Sequence, residues 1–107
     1  MKAVERGAAL LDERLGPEWD EKIDLERLAL GSTCDCIVGQ LYQAPRRRKH
    51  AAYWRGIKEL GVKGSEPEYG FDTACGRPGR RGFGSYWSLT AAWKRLIKSR
   101  RKAREAA

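Results

Sequence analysis

Apolar residues recur at helical spacing in four short runs, and each of the first three is cut off by a glycine or proline within about four turns. Val4, Ala8, Leu11 and Leu15 form the first, stopped by Gly16-Pro17. Cys36, Ile37, Gln40 and Leu41 follow Gly31, with Gln40 as the polar margin, and stop before Ala44-Pro45. The residue before a proline avoids the helical region. Tyr53, Trp54, Ile57 and Leu60 form the third run, ended by Gly61, and Tyr86, Leu89, Trp93, Leu96 and Ile97 form the last. This punctuation predicts a mainly α fold, a small single-domain bundle of four or five short helices. Nine glycines and prolines fall within residues 61–84, which reads as a loop or a small hairpin with Tyr69 and Phe71 anchoring it to the core.

Smaller signals complete the layout. Pro17 suits the first position of a second short helix, where its missing N–H costs nothing. Glu18, Asp20 and Glu21 suit the positive end of that helix. Trp19 and Ile23 would then face the core. Residues 24–30 read as extended chain or one helical turn burying Leu25 and Leu28. Ser32 with Asp35 three residues on is a shortened capping box for the Cys36–Leu41 helix. The expected core is Leu11, Leu15, Trp19, Ile23, Ile37, Leu41, Trp54, Ile57, Leu60, Leu89, Trp93 and Leu96. One globular domain over 1–98 is expected, with 99–107 as a basic tail, either a solvated helix or frayed, because no apolar face remains beyond Ile97.

The chain has 107 residues, enough for one modest core. Its charged share of 34% and mean hydropathy of −0.68 argue against a membrane protein. No apolar run approaches the ~18 residues of a membrane span. Charges at Glu5, Arg6, Asp12 and Glu13 break up the N-terminal stretch, so no secretory signal is expected. Three cysteines are an odd number, which fits a reducing cytosol better than a disulfide framework.

The net charge of +8 is unevenly spread. Residues 1–36 carry nine acids and five bases, a net of −4, whereas residues 37–107 carry seventeen bases and five acids, a net of +12. Such polarity points to a polyanion or an acidic protein surface as partner. Three basic segments are candidate contacts. Arg46, Arg47, Arg48 and Lys49 precede a helix that also carries Arg55 and Lys58, and a helix start beside cations favours phosphate. Arg77, Arg80 and Arg81 lie in a Gly/Pro loop with Phe83, resembling an arginine–glycine segment that tracks a nucleic-acid backbone. Lys94, Arg95, Lys98, Arg100, Arg101, Lys102 and Arg104 crowd the last helix, more cations than the helix dipole calls for.

Cys34, Cys36, His50 and Cys75 supply the ligand types of a Cys3His zinc site. Against zinc, the first pair has a single intervening residue, and His50 sits among arginines. A buried thiol packs as a small apolar side chain, so Cys36 is assigned to the core, with zinc as the alternative. The one histidine has no nucleophile partner at a recognisable spacing, and no Gly-rich phosphate loop follows a strand. No catalytic residue is assigned, and a non-enzymatic protein without a cofactor is expected.

Gly7-Ala-Ala-Leu-Leu-Asp12, Gly16-Pro-Glu-Trp19, Ile23-Asp-Leu25, Cys36-Ile-Val-Gly-Gln-Leu-Tyr42, Tyr53-Trp54, Leu60-Gly61, Tyr69-Gly-Phe-Asp72 and Leu89-Thr-Ala-Ala-Trp-Lys94 together resemble a family of small actinobacteriophage accessory proteins of unknown function. The resemblance implies a phage product acting in the host bacterial cytoplasm and supplies no catalytic residue. Members of that family look mostly acidic, with a short acidic link where this chain has Gln43-Ala-Pro-Arg-Arg-Arg-Lys-His-Ala-Ala52. The basic segments therefore look like additions to a shared fold. Two functions are expected from the combination. One is binding of nucleic acid or a nucleoprotein target through the basic segments. The other is an inhibitor or adaptor docking on an acidic surface of a host protein.

Overall fold

A computed structural model describes residues 2–42, 51–73 and 85–106. The fold is mainly helical, and no strand occurs among the described residues. Helix α1 spans Lys2–Leu15, and a 3₁₀ helix over Pro17–Lys22 follows directly. A short α2 covers Ile37–Leu41, α3 covers Ala51–Leu60, a second 3₁₀ helix covers Glu66–Tyr69, and α4 covers Tyr86–Ala106. Gly16 and Gly61, at φ 85° and 72°, make the breaks expected of them after α1 and α3.

Trp93 is the centre of the core. Its ring is fully buried, stacks on Phe71 at 5.9 Å and meets Trp19 edge to face at 6.0 Å. Both are favoured aromatic geometries. The indole N–H of Trp93 donates to the Gly70 carbonyl at 2.6 Å, so the buried polar atom is satisfied. The loop after α3 is thereby tied to α4, as Tyr69 and Phe71 were expected to do. The Arg6 Nε–H donates to the Glu68 carbonyl at 2.8 Å and pins the same segment to α1.

Two close approaches depend on glycine. A Cβ on Gly7 would lie 2.1 Å from the Tyr69 carbonyl oxygen and 3.0 Å from the Trp93 ring. A Cβ on Gly56 would lie 2.3 Å from Val38 and 2.6 Å from the Tyr42 ring, where α3 crosses α2. Gly7 meets rigid backbone, so the neighbouring segment has no side chain to move aside.

The segment between the first 3₁₀ helix and α2 is irregular and is held by Gln40. This side chain was expected at a polar margin, yet it is buried. Its carbonyl accepts from the Asp24 N–H at 2.7 Å, and its amide donates to the carbonyls of Asp24 at 3.2 Å and Asp35 at 3.0 Å. One amide thus satisfies three backbone groups that no regular element serves. The cap of α2 is Cys36, not Ser32: its Sγ accepts the Gly39 N–H at 3.2 Å. Ser32 and Asp35 instead close the preceding turn.

Several expected core residues lie elsewhere. Leu11, Trp19, Ile23, Ile37, Ile57, Leu60, Leu89 and Trp93 are buried, and Leu41 and Leu96 pack partly against them. Leu15 is 40% exposed, at the end of α1 where the chain turns into Gly16. Trp54 is 55% exposed, because Tyr53 and Ile57 take the inward face of α3. Tyr86 is 45% exposed and reaches outward to donate its hydroxyl to Asp72 at 2.7 Å.

Alanine in place of an exposed helical glycine stabilises by about 1 kcal/mol. Gly7→Ala should reverse that sign and cost about 1–3 kcal/mol through overpacking, read as a lowered midpoint in urea denaturation.

Candidate functional site

The last basic segment divides into two faces. Helix α4 continues without interruption to Ala106, so the end beyond residue 98 is helical, as one expectation had it, but it is not wholly solvated: Arg100, Arg101 and Arg104 reach back to the N-terminal half. At 3.6 residues per turn, Leu89, Trp93 and Ile97 define the inner face, and Arg100 and Arg104 continue it. The stripe does not stop at Ile97; it changes from apolar side chains to guanidinium groups.

Those groups meet the acids of the N-terminal half. Asp20 is completely buried, and both of its oxygens are used. Arg100 Nε donates to it at 2.6 Å, and Arg104 donates through Nη1 at 2.9 Å and Nη2 at 3.0 Å. Arg100 also forms a fork on Asp12, at 2.6 and 3.2 Å. Its guanidinium carbon lies 5.1 Å from the Trp19 ring centre, within cation–π range. The Trp19 indole N–H donates to Asp12 at 2.8 Å, and Arg104 also pairs with Glu21. Arg101 Nη2 donates to the carbonyls of Asp20 at 2.7 Å and Ile23 at 2.6 Å, closing the C-terminal end of the first 3₁₀ helix. Arg100 and Arg101, both expected to bind an external partner, are therefore turned inward. For Arg100 the physical reason is the buried carboxylate at Asp20, whose desolvation cost must be met by paired, hydrogen-bonded cations; Arg101 is held instead by the backbone carbonyls of Asp20 and Ile23.

Burial alone would push the Asp20 carboxyl up, but hydrogen bonds from Arg104 and Arg100 outweigh it and hold the group below its ordinary value of 3.8. Asp12 is also held low: burial again opposes ionisation, and hydrogen bonds from Arg100 and Trp19 overcome it.

The other cations of α4 face outward. Lys94, Arg95, Lys98 and Lys102 fall within an arc of about 100° on the opposite side of the helix. Arg95, Lys98 and Lys102 are exposed, and Lys94 is half-buried. The same outer face carries Trp87, which is 82% exposed. Sequence reading by the apolar stripe passes over Trp87, because it sits out of register with Leu89 and Trp93. That offset was the available signal.

Elsewhere, Arg55 is exposed on α3, lies 6.0 Å from the Tyr42 ring centre and pairs with Glu59 at 3.7 Å. A groove of about 460 Å³ beside it is lined by Trp54, Ile57, Lys58 and Lys63. A second groove, of about 590 Å³, runs between α1 and α4 over Val4, Ala92 and Leu96, with Glu5 and Arg95 at its rim. Arg46, Arg47, Arg48, Lys49, Arg77, Arg80 and Arg81 lie outside the described residues, as do His50 and Cys75 of the zinc alternative. Cys36 is buried as the α2 cap, and burial pushes its thiol up to about 11. That environment favours the neutral thiol over the thiolate a metal requires. Among the described residues no three metal-ligating side chains cluster, and no helix is long and apolar enough to cross a membrane.

The chain was compared with family models, curated proteins and solved structures, and none of them matches it.

The acid cluster sets a pH dependence. Folded-state values below the ordinary 3.8 mean that Asp12 and Asp20 contribute stability above that pH and lose it as pH falls through their depressed values. Stability from this source should be flat above about pH 5 and fall steeply below about pH 4. Asp20→Asn should cost about 3–5 kcal/mol at neutral pH, since it leaves two guanidinium groups without their shared counter-charge. Urea midpoints measured from pH 7 to pH 3 should show a shallower acid loss in this variant than in the wild type.

Proposed function

We propose that this is a non-enzymatic protein, of phage accessory type, that binds nucleic acid through backbone phosphates, with the outer face of α4 as its principal described contact surface. The observation that supports it is the sorting of seven cations on one helix. Arg100, Arg101 and Arg104 are spent on the protein's own acids and carbonyls. Lys94, Arg95, Lys98 and Lys102 have been left on the opposite, solvent-facing side. Internal acids and carbonyls thus account for the inner three, and the outer four form a compact positive stripe on a helix docked along its inner face.

Such a stripe suits a polyanion. Successive lysines four residues apart are ~6 Å apart along the helix axis, a repeat that suits consecutive phosphates. Each neutralised phosphate releases counterions, which gives binding a strong salt dependence and little sequence preference.

A second reading, docking on an acidic surface of a host protein, draws on the groove at Trp54, where an apolar floor at Ile57 is flanked by Lys58 and Lys63. Capture of a partner that persists after nuclease treatment would favour it.

Fluorescence anisotropy with labelled oligonucleotides tests the first reading. Binding should be visible at ~50 mM salt and weaken steeply as salt rises. Replacing Lys94, Lys98 and Lys102 together by glutamine should lower the magnitude of the log K against log salt slope by about 3, roughly one per lysine, with the melting temperature little changed. Arg100→Gln should instead lower thermal stability. No binding at that salt, or an unchanged slope in the triple variant, contradicts the reading.

A further inference from the structure

Among the described residues Trp87 is the most exposed of the large apolar side chains, at 82%, against 55% for Trp54, 45% for Tyr86 and 40% for Leu15. Each of those three lies close to an identifiable feature of the fold. The Trp54 ring meets Tyr53 edge to face, the Tyr86 hydroxyl is bonded to Asp72, and Leu15 ends α1. Trp87 stands in the first turn of α4 on the face that looks away from Leu89, Trp93 and Ile97.

Its position relative to the lysines is specific. Trp87, Lys94, Lys98 and Lys102 are separated by seven, four and four residues, so they share a stripe about 80° wide and ~22 Å long. Ala91 lies between the indole and the first lysine, and its small side chain leaves the ring face open along the stripe. Glu105, the nearby acid on α4, lies beyond the last lysine. One helix face thus presents an open aromatic ring at one end and a ladder of cations along the rest.

We infer that this face is a binding site for single-stranded nucleic acid, with an unpaired base stacked on Trp87 and the following phosphates on Lys94, Lys98 and Lys102. This rests on the nucleic-acid reading above and narrows it. Lysines alone would serve a duplex equally well, because both forms present phosphates. An exposed ring adds affinity only where a base face is free to stack, and in a duplex those faces are already covered by neighbouring bases. Stacking tolerates any base and either sugar, so DNA and RNA single strands share the chemistry. The stripe also differs from a membrane-surface helix, which needs a continuous apolar face; here one large ring is followed by a single small alanine and then by cations.

The test compares four labelled ligands of about 12 nucleotides: single-stranded DNA, the same sequence as RNA, the DNA duplex, and an abasic strand with the sugar–phosphate chain but no bases. Wild-type protein should bind the single strands about tenfold more tightly than the duplex or the abasic strand. Trp87→Ala should remove that difference while leaving abasic binding unchanged, and Trp87→Phe should restore part of it. The relative strength of the DNA and RNA arms identifies which strand is preferred. Trp87 is at the surface, so both variants should keep the wild-type melting curve; should Trp87→Ala fail to fold, the wild-type preference for based over abasic strand carries the test. Equal binding of single strand, duplex and abasic strand overturns this inference and leaves phosphate binding standing. Absence of binding to all four overturns both, as does binding only to anionic vesicles or to an acidic polypeptide.

Discussion

One buried carboxylate organises the charge of this protein. Asp20 sits in a short 3₁₀ helix with no solvent exposure, and a lone ion there would be prohibitively desolvated. Arg100 and Arg104, one helical turn apart, supply the counter-charge and the hydrogen bonds to both oxygens. The requirement is geometric as well as electrostatic. A single lysine could balance the charge but could not bridge Asp12 and Asp20 as the Arg100 fork does. Such a cluster adds less net stability than its disruption removes, so its main consequence is the position of α4.

That position is reinforced by the aromatic core. Trp19 carries Asp12 on its indole nitrogen and Arg100 over its ring, and it meets Trp93 edge to face. The ionic cluster and the apolar core therefore share a residue and cannot rearrange independently. Trp93 passes the constraint to Phe71 and Gly70, and Gly7 lets α1 close against the same segment. The acidic first half and the basic last helix are thus two sides of one interface. The chain's charge polarity, taken alone, suggests an external polyanion; part of it is instead consumed inside the fold, and only the remainder is available to a partner.

Much of this was readable in the sequence where periodicity and punctuation carry the information. The breaks at Gly16-Pro17 and Gly61, the Pro17 start and the buried set from Leu11 to Trp93 follow from local rules. The errors arose where one side chain serves distant backbone. Gln40 looks like a polar margin until its three backbone partners, up to sixteen residues away, are known. Cys36 displaces Ser32 as a cap because the turn through Ser32 and Asp35 delays the helix. The C-terminal arginines looked like a tail because apolar periodicity ends at Ile97. Extending the stripe by helical spacing, regardless of polarity, would have placed Arg100 and Arg104 on the inner face, opposite the surplus acids near Asp20. Trp54 and Tyr86 show the converse: an aromatic at a plausible position is buried only if a better-placed neighbour does not take the face.

The functional proposal depends on α4 being held as a rigid, two-faced helix to its end. Amide hydrogen exchange over residues 99–106 tests that most directly. Docking by Arg100, Arg101 and Arg104 onto the first 3₁₀ helix predicts slowed exchange through at least Arg104 in the wild type, and its loss in a folded variant lacking the Asp20 charge. Exchange of these amides at unprotected rates in the wild type would mean a frayed tail, and would contradict both the ionic docking and the separation of inner from outer cations.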